Sequence, residues 1–69
     1  MRPCDKMIVM VFDITDKMLG LSDKGDAVHD DDGCGILYGV LRDSAFKIKK
    51  LAEAEKNVHI KKGLWNENE

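Results

Sequence analysis

Residues 31–63 read DDGCGILYGVLRDSAFKIKKLAEAEKNVHIKKG, and the spacing of the apolar side chains in this stretch decides the fold class. On a helix, where successive residues are about 100° apart, eight small or apolar side chains fall within about 80° of Leu41. These eight are Cys34, Leu37, Tyr38, Leu41, Ala45, Ile48, Leu51 and Ala52. The pattern predicts an amphipathic helix that buries this stripe, because strand alternation would bury lysines among residues 47–50.

Both ends of this helix are marked in the sequence. Three consecutive acids, Asp30 to Asp32, can accept hydrogen bonds from the free N–H groups of a first turn and favour the positive end of the helix dipole. Lys61 and Lys62 suit the last turn, and Gly63 can adopt the left-handed conformation that commonly ends a helix. We therefore predict a helix over residues 31–62, roughly 45 Å long.

The first part of the chain is compatible with two secondary structures. Residues 7–12, MIVMVF, have the length and the Ile, Val and Phe content of a buried strand. A helix over residues 3–22 is favoured, because the apolar period of about 3.6 residues continues through Met18 and Leu21. Pro3 suits the first turn of that helix, and no other segment reads as a partner strand.

Two helices joined by a short polar connection predict an all-α fold, an antiparallel helical hairpin. We place the connection at residues 23–30, around Gly25, and a polar tail at residues 63–69. The 69 residues then form one small helical domain. On these boundaries Cys4 and Cys34 lie about 24 Å apart along the axis, too far for a disulfide.

The apolar surface of the two helices exceeds what one hairpin can bury. The first helix is apolar on two faces, and residues 52–60 of the longer second helix would extend beyond it. Pairing of two hairpins into a homodimeric four-helix bundle removes both problems, whereas a monomer would leave this surface exposed. The residues expected at the interfaces are Met7, Met10, Val11, Phe12, Ile14, Met18, Leu37, Leu41, Ile48, Leu51, Val58 and Ile60.

Composition limits the function classes. No leader-like or membrane-spanning apolar run is present, so we expect a cytoplasmic protein without a membrane partner. The two cysteines lack the C-x-x-C spacing of redox and zinc motifs, and the acids of residues 30–32 lack the essential first and last carboxylates of a calcium loop. Few polar groups lie at core angles, so we expect no enzymatic activity and no cofactor. The favoured function is a protein-interaction or regulatory module that pairs with itself and with another protein.

One pair of residues indicates metal binding or redox chemistry as an alternative function. His59 lies at the same helical angle as Leu41, and Glu55 precedes it by one turn. A carboxylate and an imidazole at this spacing can share one metal ion in the core of a bundle. The same spacing also suits an ordinary ion pair near a helix C-terminus, where a protonated histidine is favourable.

Charge is distributed unevenly along the chain. Residues 13–32 carry seven acids and two lysines, whereas residues 42–62 carry seven bases and three acids. Lys47, Lys49 and Lys50 belong to the basic segment and offer a third function, nucleic-acid binding. Nucleic acid is not the expected partner, because the basic residues spread over more than half of the helix circumference and the net charge is −2. The opposed charges favour self-association or a protein partner.

Overall fold

The computed structural model describes residues 2–28 and 30–65, which form two antiparallel helices. Helix α1 spans Pro3–Val28 and helix α2 spans Asp32–Lys61. The described residues contain no strand, so the strand alternative for residues 7–12 is wrong. The predicted all-α helical hairpin is confirmed, and the molecule measures 48 × 18 × 14 Å.

Both ends of α2 are capped as the sequence predicts. Asp31 adopts an extended conformation, and its carboxylate accepts a hydrogen bond from the backbone N–H of Cys34 at 2.8 Å. At the C-terminal end Gly63 has a φ of +71°, and the N–H of Leu64 donates to the carbonyl of His59 at 2.9 Å. This Schellman-type ending satisfies carbonyl groups of the last turn.

The connection between the helices is shorter than predicted. Helix α1 continues to Val28, so most of the predicted loop at residues 23–30 is helical and the predicted end at residue 22 is wrong. Gly25 is buried in this extension, where the ring of Tyr38 occupies the space that a Cβ at that position would need. The glycine therefore serves close packing against α2 rather than a turn, and packing outweighs its weak helix propensity.

Small and polar side chains line the seam between the helices. Thr15 and Ser22 on α1 are buried and seven residues apart, as are Ala45 and Ala52 on α2, which is the repeat of a coiled-coil seam. Both buried hydroxyl groups have hydrogen-bond partners. The Thr15 hydroxyl donates to the backbone carbonyl of residue 12 at 3.0 Å, and the Ser22 oxygen accepts from Arg42 Nε at 3.1 Å.

The predicted stripe centred on Leu41 is displaced from this seam. Ala45 and Ala52 are buried as predicted, but Leu37 is 59% exposed and Leu51 is 62% exposed. Small side chains let the helix axes approach closely, so the larger side chains beside them point past the partner helix. The prediction was wrong for Leu37 and Leu51 because side-chain volume, as well as hydrophobicity, decides which residues fit between close helices.

The register of the hairpin also differs from the expected one. Asp5 lies opposite His59 and Ser22 lies opposite Arg42, so the facing residue numbers sum to 64 in both pairs. Residues 52–60 therefore lie beside the first turns of α1. The prediction that this part of α2 extends beyond α1 is wrong. The cause is the extra length of α1, whose end lies six residues beyond the predicted one.

Candidate functional site

The large apolar side chains that the seam leaves out form a second repeat on each helix. Like the seam, this repeat has seven-residue spacing. Its position around the helix axis is about 100° away from the buried seam. We call its ten residues the apolar face: Met7, Val11, Ile14, Met18, Leu21, Leu37, Leu41, Ile48, Leu51 and Val58.

The two halves of the apolar face lie on the same side of the hairpin. Viewed from its N-terminus, each helix has its exposed repeat rotated in the same direction from the seam. Because the two helices run in opposite directions, this shared rotation places both repeats on the same side of the hairpin. The polar contacts agree with this geometry. Arg42 pairs with Asp23, and Lys49 Nζ lies 3.8 Å from Asp16 Oδ1, along the opposite edge of the seam. The hairpin thus has an apolar face and a reverse face, and the reverse face carries these ion pairs together with the exposed side chains of Val9, Phe46 and Ile60.

The hairpin leaves the apolar face largely uncovered. Seven of its ten residues are more than a third exposed. The accessible surface is 5174 Å², about 800 Å² more than the roughly 4,400 Å² expected for a folded chain of 7.8 kDa. The radius of gyration is 15.2 Å, compared with about 11 Å for a compact chain of this length. A contiguous apolar surface of this kind normally marks an interaction site.

Charge is separated along the length of the hairpin. The half nearest the connection, residues 16–48, carries seven acids and four bases, a net charge of −3. The half nearest the open end, residues 2–15 and 49–65, carries seven bases and four acids, a net charge of +3. The two ends of one hairpin are therefore electrostatically complementary to each other.

The open end of the hairpin holds a cluster of metal-ligating side chains from both helices. Cys4 and Asp5 come from the first turn of α1, and His59 comes from the last turn of α2. Their sulfur, oxygen and nitrogen atoms all lie within 4.8 Å of one another. Asp5 is fully buried and the His59 side chain is only 13% exposed, so packing holds both in the end of the seam.

Asp5 is the electrostatic centre of this cluster. Arg2 Nε donates to Asp5 Oδ2 at 3.2 Å, and His59 Nδ1 contacts Asp5 Oδ1. The Arg2 hydrogen bond, and after it the His59 hydrogen bond, lower the pKa of Asp5 below its ordinary value of 3.8. The carboxylate is therefore ionised at neutral pH and only accepts, so His59 Nδ1 carries the shared proton. On the other side of the ring, His59 Nε2 lies 3.9 Å from Glu55 Oε2.

The predicted metal pair is thus part of a larger group. Glu55 and His59 are neighbours, as their spacing predicts, but the nearer carboxylate is that of Asp5. Sequence reasoning missed Cys4 and Asp5 as partners of His59, because Asp5 is 54 positions away from it in the chain. Only the register of the hairpin brings them together, and no local spacing in the sequence signals it.

Most of the predicted interface residues belong to the apolar face. Met10 flanks that face on α1 and is 53% exposed. Phe12 and Ile60 lie elsewhere, where together with Lys56 they line a shallow groove on the reverse face. Leu21 belongs to the apolar face and was not among the predicted residues, because the prediction ended the first helix near it.

The structure does not bring the three predicted nucleic-acid-binding lysines onto one surface. Lys49 lies at the seam beside Asp16. Around α2, Lys50 is about 100° from Lys49 and Lys47 is about 160° from it. Nucleic-acid binding through these residues stays a prediction, and the geometry adds no support to it.

No protein-family model, no curated protein and no solved structure matches the chain. Within residues 2–28 and 30–65, neither helix combines the length and the hydrophobicity needed to cross a membrane. Residues 66–69 of the predicted polar tail lie outside the described residues.

Proposed function

We propose that this protein is a non-enzymatic interaction module that acts as a homodimer. The observation that carries the proposal is the apolar face, in which the exposed repeats of both helices share one side of the hairpin. A helix in a four-helix bundle packs against two neighbours in directions that are roughly perpendicular. The offset of about 100° between the buried and exposed repeats suits this packing on both helices.

The occupant of the apolar face is a second copy of the chain. The hairpin exposes about 800 Å² more surface than a folded chain of its mass, which equals the area that each partner contributes to a standard interface. Two such faces can pack against each other, because a two-fold interface uses the same patch on both copies. The resulting bundle has one central apolar layer, and its outer surfaces carry the ion pairs together with the exposed Val9, Phe46 and Ile60.

Charge complementarity selects the antiparallel arrangement of the two hairpins. A two-fold axis perpendicular to the hairpin places the half with net charge −3 over the partner's half with net charge +3. An axis along the hairpin would place like charges together. In the antiparallel dimer Cys4 lies at nearly the level of Cys34 of the partner subunit, whereas in the parallel dimer it lies at the level of the partner's Cys4.

The proposal is tested by sedimentation equilibrium of the reduced 69-residue chain across the micromolar range, where we expect the mass of two chains. Ile14→Glu places a carboxylate near the centre of the apolar face and is expected to give a helical monomer. Val9→Glu is the matched control, because it adds the same charge to the other side of α1, where Val9 is 44% exposed. This variant is expected to remain a dimer.

Two results would contradict the homodimer. One is a wild-type chain that stays monomeric at high micromolar concentration. The other is a dimer that persists in Ile14→Glu but dissociates in Val9→Glu, which would move the interface to the reverse side of the hairpin. Circular dichroism of both variants verifies that any loss of the dimer occurs in a folded hairpin.

A further inference from the structure

The cluster at the open end combines three kinds of metal-ligating atom in one place. A thiol comes from Cys4, a carboxylate from Asp5 and an imidazole from His59. The thiol and the carboxylate belong to α1 and the imidazole to α2, so the group exists only in the folded hairpin. It lies at the open end of the hairpin and contains none of the ten residues of the apolar face.

The ligand chemistry matches zinc better than other common ions. Magnesium and calcium prefer ligand sets made only of oxygen, whereas zinc accepts thiolate, imidazole and carboxylate together. Zinc binds sulfur at about 2.3 Å and nitrogen at about 2.0 Å, so two ligand atoms on one tetrahedral ion lie about 3.5 Å apart. The three donor atoms lie within 4.8 Å of one another, and those of Asp5 and His59 are already in hydrogen-bond contact. An ion is accommodated when the sulfur moves inward by at most little more than about 1 Å and the other two atoms move slightly apart.

One neighbouring side chain already orients a ligand, and a second lies close to another ligand. Arg2 Nε donates to Asp5 Oδ2 at 3.2 Å and Arg2 Nη2 donates to Oδ1 at 3.5 Å, and Oδ1 also contacts His59. Glu55 Oε2 lies 3.9 Å from His59 Nε2, on the side of the ring that faces away from Asp5. A carboxylate that accepts from the second ring nitrogen fixes the tautomer that binds metal through the first, a common arrangement in zinc sites.

We propose that Cys4 Sγ, Asp5 Oδ1 and His59 Nδ1 bind one zinc ion, with water as the fourth ligand. The ion takes the place of the proton shared by Asp5 and His59, and that proton moves to Nε2, where Glu55 accepts it. The Cys4 thiol loses its proton to solvent on binding. The ion thereby links the first turn of α1 to the last turn of α2, at the end of the hairpin that has no covalent connection.

The proposal is tested with untagged, reduced and chelator-treated full-length protein. Calorimetric titration with zinc chloride is expected to give one ion per chain and to raise the melting temperature. Cobalt chloride serves as a second probe, because a thiolate ligand produces a sulfur-to-cobalt charge-transfer band. Cys4→Ser is expected to abolish that band and to weaken zinc binding at least 100-fold, whereas the matched control Cys34→Ser is expected to retain both.

Two further variants extend the test. Glu55→Gln should weaken zinc binding by about 10- to 100-fold, as loss of a group that orients a ligand does in other zinc sites. Ile14→Glu should bind zinc as the wild type does, so failure of the homodimer and failure of the zinc site are distinguishable. Cys4 is exposed, so Cys4→Ser remains informative even if a His59 variant does not fold.

The zinc site is refuted by the absence of saturable binding at micromolar zinc. It is equally refuted if Cys4→Ser retains wild-type affinity, or if Cys34→Ser loses binding to the same extent. In either of the last two cases the ion binds elsewhere. The contacts among Arg2, Asp5 and His59 then serve only as ion pairs that close the end of the seam.

Discussion

Truncation of Leu51 to alanine measures how strongly the apolar face contributes to the proposed dimer. Leu51 lies near the middle of that face and is 62% exposed in the hairpin. Because a single hairpin leaves most of this side chain in water, the folding free energy of the hairpin should fall by only about 1 kcal/mol. A homodimer contains two copies of Leu51, and association covers the side chain in each copy. The free energy of association therefore loses the contribution of two side chains.

The size of the effect follows from the exposed fraction. Leucine to alanine removes three carbon atoms, worth about 2.4 kcal/mol at about 0.8 kcal/mol for each buried CH₂ group. If the exposed 62% is covered on association, each copy loses about 1.5 kcal/mol and the dimer loses about 3 kcal/mol. At 1.4 kcal/mol for each factor of ten, the Kd of Leu51→Ala should rise roughly 150-fold.

Sedimentation equilibrium over a concentration series gives the Kd of the wild type and of each variant. Phe46→Ala is the matched control, since Phe46 is 55% exposed and lies on the reverse face of α2. Its Kd should stay close to the wild-type value although a larger side chain is removed. The apolar face is not the dimer interface if Leu51→Ala dimerises as tightly as the wild type, or if Phe46→Ala weakens the dimer more than Leu51→Ala does.

Gly25→Ala should destabilise the hairpin by about 1–3 kcal/mol, because the added Cβ meets an aromatic ring of α2. Gly20→Ala has open space around it and should stabilise the helix by about 0.5–1 kcal/mol; urea unfolding measures both, and equal effects would refute the close packing. A short bismaleimide should join Cys4 to Cys34 of the partner subunit in chelated, reduced protein, and peptide mapping that finds only Cys4–Cys4 links would indicate the parallel dimer. The lowered pKa of Asp5 means that its stabilisation is present above 3.8 and is lost as the pH falls through the lower folded-state value. Metal-free wild type should therefore melt higher than Asp5→Asn at neutral pH, with the difference shrinking in acid; a difference independent of pH would contradict this role of the carboxylate.

The helices and their ends were largely predictable, because helix formation depends on neighbours in the sequence. The Asp31 cap and the Gly63 ending of α2 form as expected, since caps involve residues three to five positions apart. The end of α1 was not predictable in the same way. Gly25 has the local signature of a turn, and only its contact with Tyr38, thirteen positions further on, makes it a buried helical residue.

The composition of the seam could not be read from hydrophobicity alone. A stripe of apolar residues identifies the side of a helix that avoids water, but it does not say which part of that side meets the neighbouring helix. In the hairpin Ala45 and Ala52 meet α1, while Leu37 and Leu51 remain for the apolar face. The choice depends on how closely two backbones approach, which is a property of both helices together.

The sequence alone determined that the protein is an all-α hairpin with excess apolar surface and an uneven distribution of charge. The reason is that the spacing of apolar residues and the order of charged residues depend only on positions close together in the chain. Only the tertiary structure shows that seven exposed apolar residues of the two helices share one face and that Asp5 meets His59. Both depend on the register of α1 against α2. That register is set by the length of α1 and by the small side chains that allow close packing, so it emerges only when the two helices are placed side by side.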